Sequence, residues 1–375
     1  MRTEICDRYD IEFPIFAFSH CRDVVAAVSR AGGFGVLGAL AFGPEQLEIE
    51  LDWIDEHVGD KPYGVDLVMP AVAVESGETD RELGIKKVEE LIPQEHRRFV
   101  EQVLSDHDVA PLPPDFDATP IAAGLEVGSR FPRQVEIALA HGNVRMLVNA
   151  LGPPPDYAIE AAHQHGIDVG ALTGSVRHAE KNLERGVDVI VAQGTEAGGH
   201  CGEISTMVLI PEVVDAVAGR APVLAAGGIG SGRQVAAALA LGAQGAWTGS
   251  IWLTVAEADT APVVVENLLA ATSRDTVRSR AMTGKPARQL RTAWTEAWES
   301  DESPGTLPMP LQGILFSNAA RRITRAQNGA LSGSPVGQIV GRMTRVRPAR
   351  DVIYELVEEC IETGARLSQL MGLSG

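Results

Sequence analysis

Val187-Asp188-Val189-Ile190-Val191-Ala192 is a short β-branched run, and it empties into Gln193-Gly194-Thr195-Glu196-Ala197-Gly198-Gly199-His200. A second run, Val223-Leu224-Ala225-Ala226, opens into Gly227-Gly228-Ile229-Gly230-Ser231-Gly232 and then a helical pattern from Arg233 to Leu241. A third, Gly245-Ala246-Trp247-Thr248, ends on Gly249-Ser250. Short apolar strands alternating with helical patterns predict a parallel sheet covered on both faces. Such sheets bind their ligands at the carboxyl ends of the strands, where these glycines and His200 fall.

The same rhythm extends outward. Phe13 to Phe18 reads as a buried strand, with Ser19 as N-cap of a helical pattern carrying Val24, Val25 and Val28. Phe34 to Ala39 is a strand, Pro44 to His57 a helix with Leu47, Leu51 and Ile54 on one face, and Tyr63 to Val68 a third strand. Residues 71–120 are polar and punctuated by prolines, so they read as an insertion with a helical pattern at Phe99, Val103 and Leu104. Helix Arg133 to His141, strand Met146 to Asn149, helix Asp156 to His165, strand Ile167 to Leu172 and helix Val176 to Arg185 lead back to the first run. Strands centred near 15, 36, 65, 147, 169, 189, 224 and 247 make eight, the count of an α/β TIM (β/α)8 barrel over residues 1–255. An open doubly wound sheet is the alternative. Residues 256–375 look mainly helical, and Val352, Ile353, Leu356, Val357, Cys360 and Ile361 form an apolar stripe that should dock on the barrel.

A net charge of −18 argues against a general nucleic-acid or anionic-membrane surface, so any anion must be met locally. Cys6, Cys21, Cys201 and Cys360 lack metal-type spacing, and neither a signal pattern nor a long apolar segment is present. The expectation is a cytoplasmic protein without a metal site, a disulfide framework or a membrane span, acting on a small molecule; assembly into a homo-oligomer stays open. From Ser303 to Arg350 there is no Asp or Glu, yet Arg321, Arg322, Arg325, Arg342, Arg345, Arg347 and Arg350 all fall there. They read either as a solvated face paired with acids elsewhere or as a grip for a nucleotide or coenzyme A tail.

Gly33-Phe34-Gly35-Val36-Leu37-Gly38 matches the dinucleotide fingerprint by letters but occupies a strand, so it is set aside. The Gly227–Gly232 run instead follows a strand and opens a helix, the context in which backbone N–H groups hold a phosphate. Gly249 and Ser250 offer a second small turn, and the cofactor-binding set is completed by Gly198, Gly199, Gly227, Gly228, Gly230, Trp247 and Thr248. His200 is the candidate for handling a proton near neutral pH. His20, just past the first strand, is the second candidate and a substrate contact. Cys201 is set aside because no nucleophile elbow accompanies it.

With Ala237-Ala238-Leu239-Ala240-Leu241-Gly242-Ala243, the stretches Val187–His200 and Val223–Ile229 resemble the nitronate monooxygenases, formerly 2-nitropropane dioxygenases, over roughly residues 10–255. The resemblance implies a TIM barrel that binds FMN non-covalently and oxidises alkyl nitronates with dioxygen. It places the Gly-Gly-His histidine, here His200, over the flavin, with Gln193 and Gly198 against it and Gly228, Gly249 and Ser250 on the phosphate. The first strand's end, Ala17-Phe18-Ser19, replaces the usual proline-methionine; Asp66 stands where an asparagine is usual, and Leu172 or Thr173 where many members carry a lysine. The same family includes NAD(P)H-dependent reductases of enoyl thioesters carried on coenzyme A or an acyl carrier, which is the alternative activity. A flavin-binding regulator without turnover is a third reading, against which His200 speaks.

Overall fold

The expected strands are the eight staves of a closed barrel in the computed structural model, which describes residues 1–69, 89–113 and 130–373. They are β1 (Ile15–Ser19), β2 (Phe34–Gly38), β3 (Tyr63–Leu67), β4 (Val144–Asn149), β5 (Asp168–Thr173) and β6 (Val189–Gln193). After the two-residue β7 (Gly199–His200), which stands outside the barrel, come β8 (Val223–Ala226) and β9 (Gly245–Thr248). All barrel pairs are parallel, and closure is made by β1 on β9 through Ile15↔Ala246, Phe16↔Trp247 and Ala17↔Thr248. The open doubly wound sheet is thereby excluded.

Alternation along each strand sorts the core into two layers. Phe16, Phe34, Val36, Met146, Val148, Val189, Val191, Leu224, Ala226 and Trp247 fill the barrel interior, while their neighbours Ile15, Ala17, Leu37, Leu147, Ile190 and Ala225 face the surrounding helices. The amino end of the barrel is stoppered by the helix Glu4–Tyr9, whose Ile5, Cys6 and Tyr9 join the inner layer. Arg8 Nη2 and Tyr9 Oη reach the carboxylate of Asp168, the first residue of β5, at 2.6 and 2.7 Å. With that end closed, the carboxyl end is the face left for chemistry.

The described part of the insertion, including the helix Gln94–Asp106, leans on the tail rather than on the barrel wall. Ile92, Val100, Val103 and Leu104 share a buried cluster with Trp294, Trp298, Ile314, Leu315 and Ile323. The rest of residues 71–120 lies outside the described residues, apart from 89–113. The tail is mainly helical, as expected, and its last helix, Ala349–Leu370, buries Val352, Ile353, Leu356, Val357 and Cys360. Ile361 is the exception in that stripe, being 54% exposed. The tail also holds an antiparallel hairpin that the helical expectation lacked, β10 (Thr276–Ser279) with β11 (Ala287–Leu290). β7 adds to its edge by Ala287↔His200 and Arg288↔Gly199. No helix among the described residues is long and apolar enough to cross a membrane, and none of their His, Cys, Asp and Glu side chains form a group able to hold a metal.

Candidate active site

The mouth is built by the loops after β6, β8 and β9 together with the tail segment around Val336. Thr195 N donates to Ile204 O at 2.8 Å, and Glu196 accepts from Thr206 N and Thr206 Oγ1 at 2.9 and 2.8 Å, which folds the loop after β6 back onto the next helix. Arg288 of the hairpin donates through Nε to Thr195 O at 2.9 Å. Ser250 Oγ accepts from Gly337 N at 2.8 Å, and Gln338 N donates to Glu196 O at 2.9 Å, so the tail is stitched to both loops.

The glycines divide by role. A Cβ on Gly199 or Gly249 would meet nothing within 4 Å, so these two border open space. A Cβ on Gly198 would sit 2.8 Å from the backbone of Val336, and one on Gly230 3.1 Å from Ile251, so these let the tail and a neighbouring helix approach. Gly227 and Gly228 have φ of +95° and +69°, which turns the chain sharply after β8 and directs Cβ positions to Gly194 O and to the Glu196 side chain. At the following helix, Gly232–Ala240, Ser231 caps the end, Gly230 N donates to Gln234 Oε1 at 2.9 Å, and Gly232 N donates to Glu359 at 2.7 Å. The N–H groups of Gly227, Gly228, Ile229, Gly249 and Ser250 meet no acceptor among the described residues. Because a buried or half-buried amide without a partner is costly, that cluster is suited to an anion supplied from outside.

Other expected residues have other tasks. Trp247 belongs to the inner core, with its ring stacked at 6.4 Å from that of Phe18. Thr248 Oγ1 donates to Phe16 O at 2.9 Å and accepts from Trp252 Nε1 at 3.0 Å, so its hydroxyl serves barrel closure. Ala17 is buried against the helices, and Ser19 Oγ accepts from Cys21 N at 3.1 Å. Gln193 is half-buried at the tip of β6, and Leu172 packs on the inner core at the end of β5. His20, exposed, donates from Nδ1 to the carbonyl of Gly38 at 2.7 Å and lies edge-on to Phe18.

Asp66 is 3% exposed at the end of β3, and its Oδ1 has no partner among the described residues. Burial pushes its carboxyl up to about 7 against a backbone hydrogen bond from Ala150. In its protonated form the buried carboxyl group can donate as well as accept, as a side-chain amide does. The exposed ring of His200 donates to or accepts from Thr283 Oγ1 at 2.8 Å. The protein packed behind the ring, and then the Lys285 ammonium, lower its pKa, which keeps the imidazole neutral at pH 7.

Sequence reading missed Thr283, Lys285 and Arg288, all on the hairpin. Their one local signal is charge, since residues 276–290 carry Arg278, Arg280, Lys285 and Arg288 and no carboxylate. Three arginines of the acid-free segment are matched by carboxylates outside or beside it: Arg322 to Glu101 at 2.7 Å, Arg347 to Glu355, and Arg350 to Asp351 at 3.7 Å. This is the solvated, paired reading of that segment for those residues.

A barrel closed at its amino end, with a histidine, a buried carboxyl group and amides without an acceptor among the described residues at its carboxyl mouth, defines a (β/α)8 enzyme. The family model "Nitronate monooxygenase" matches residues 3–359. The chain is 53% identical to "Putative monooxygenase Rv1533" of Mycobacterium tuberculosis (strain ATCC 25618 / H37Rv), with 100% of this chain and 99% of that one aligned. It is 29% identical to "Probable nitronate monooxygenase" of Bacillus subtilis (strain 168) over 90% of this chain and 92% of the relative. Among solved structures it is similar to nitroalkane oxidase from Streptomyces ansochromogenes, with a TM-score of 0.75, 25% identity and coverage of 97% of this chain and 99% of the other. FabK from Thermotoga maritima gives a TM-score of 0.73 and 26% identity, with 99% of both chains covered. The chain belongs to the nitronate monooxygenase family and is an oxidoreductase.

Proposed function

We propose that the barrel mouth binds FMN non-covalently and that the enzyme oxidises an alkyl nitronate with dioxygen. The observation that carries this reading is the set of unpaired N–H groups at Gly227, Gly228, Ile229, Gly249 and Ser250, on the two loops that hold phosphate in many barrels. Asp66 fits the same ligand, since its Oδ1 is a buried polar atom lacking a partner among the described residues. Gly199 and Gly249 border the space a flat ring system needs. A bound flavin supplies electron acceptance from the substrate and their delivery to dioxygen. The chain's own contribution is to hold the phosphate on backbone amides, to meet the ring from Asp66 and Gln193, and to place the neutral imidazole of His200 where it can position the substrate or accept its proton.

A second reading, an NAD(P)H-dependent reductase of enoyl thioesters, is favoured by one observation: Arg278, Arg280 and Lys285 gather on the hairpin that holds His200, a place for a phosphorylated donor or coenzyme A tail. Electron flow separates the two. A nitronate brings its own electrons, whereas an ene-reductase must first be reduced by a nicotinamide. The oxidised, FMN-bound protein is mixed anaerobically with propyl-2-nitronate, NADH or NADPH while the flavin absorbance is followed. Bleaching by the nitronate alone is the expected outcome. Bleaching by a pyridine nucleotide with none by the nitronate selects the reductase, and a colourless protein that takes up no FMN refutes both.

A further inference from the structure

The hairpin pairs with the strand that carries His200. β7 is only two residues long, and its register on β11 sets His200 opposite Ala287, directly beside the connection that joins β10 to β11. In that connection Thr283 Oγ1 is engaged three ways: it donates to Lys285 O at 3.2 Å, accepts from Lys285 N at 3.3 Å, and faces His200 Nε2 at 2.8 Å.

A hydroxyl has one proton and two lone pairs. With the proton directed to the Lys285 carbonyl and one lone pair taken by the Lys285 amide, the remaining lone pair can only accept. In that arrangement His200 carries its hydrogen on Nε2, and Nδ1, which makes no hydrogen bond among the described residues, keeps its lone pair. We propose that Thr283 is a positioning residue that holds His200 as the Nε2–H tautomer and leaves Nδ1 as the proton-accepting atom of the site.

The charges around the ring act in the same direction. On the hairpin, Arg278 reaches the carbonyl of Cys201 at 3.4 Å, Arg280 that of Gly284 at 3.4 Å, and Arg288 that of Thr195 at 2.9 Å. On the loop, Glu196 is occupied by Thr206 and Glu203 stands 4.0 Å from Arg278. Lys285 is the charge that acts on the imidazole, and it disfavours the imidazolium. Thr283 chooses the nitrogen, while burial of the ring and then Lys285 disfavour its protonation.

This inference rests on His200 as the proton-handling group of the proposed reaction, but its test does not need turnover. Two-bond nitrogen–proton spectra of the FMN-loaded enzyme, with His200 assigned from a His200→Asn spectrum, report the tautomer directly. The expected wild-type pattern is protonated Nε2 with bare Nδ1. Thr283→Val should mix the tautomers and lower kcat by about tenfold or more with little change in KM, since a wrong tautomer acts on the chemical step. Thr283→Ser should restore both. Lys285→Gln, on an exposed side chain, should raise the pKa of His200 in the same spectra and move the acidic limb of kcat/KM upward. A Thr283→Val enzyme with the wild-type tautomer pattern, or a wild type protonated on Nδ1, overturns the proposal. An altered tautomer with unchanged kcat keeps Thr283 as the selector and instead removes His200 from the chemistry.

Discussion

Asp66→Asn is the substitution whose effect follows most directly from the structure. In the fold the Asp66 carboxyl titrates near pH 7, against an ordinary value of 3.8, because burial penalises its charged form. Between those values the folded chain binds more protons than the unfolded one, so stability is full below about pH 4 and is lost as the pH rises through about 7. A shift of about 3 units corresponds to roughly 4 kcal/mol, at about 1.4 kcal/mol per unit. Asparagine removes that penalty, although its buried NH2 needs an acceptor and lacking one costs about 1–3 kcal/mol. The variant should therefore match or fall slightly below wild type at about pH 5 and exceed it by roughly 1–3 kcal/mol at about pH 8. Urea unfolding of the FMN-free protein, followed by circular dichroism across that range, gives both curves. If wild type and Asp66→Asn lose stability in parallel as the pH rises, Asp66 is not the buried acid described.

Two further substitutions probe the mouth. His200→Asn keeps shape and some hydrogen bonding but cannot accept a proton, so it should retain FMN and lose turnover by about 10²-fold or more in steady-state assays; unchanged turnover would move the chemistry to another group, with His20 tested next. Gly228→Val forces a β-branched residue to φ +69° with its Cβ 3.0 Å from that of Glu196. Strain of about 1–3 kcal/mol and a displaced loop should weaken FMN, read by fluorescence titration, whereas Glu48→Gln on an exposed helix face should not. Equal affinity in the two variants would sink the phosphate assignment.

The barrel is legible in the sequence because each strand is a short run buried on both faces and bracketed by helical patterns. Val189 to Ala192 can satisfy that pattern in few other ways. Local periodicity carries no such signal for β10 and β11. Their charged residues, Arg278 and Arg288, are strand residues because they turn to loop carbonyls, and their partner β7 is two residues long and distant in the chain. The site divides the same way. His200, Asp66 and the glycine turns are readable because they stand at strand ends, but what each does depends on a neighbour the local sequence cannot name. The letters Gly198-Gly199 look alike, yet the first admits the backbone of Val336 and the second faces open space. Thr248 looks like a ligand and is spent on Phe16 and Trp252. Thr283, with no motif around it, hydrogen-bonds the imidazole of His200 at 2.8 Å and so bears directly on how that imidazole can work.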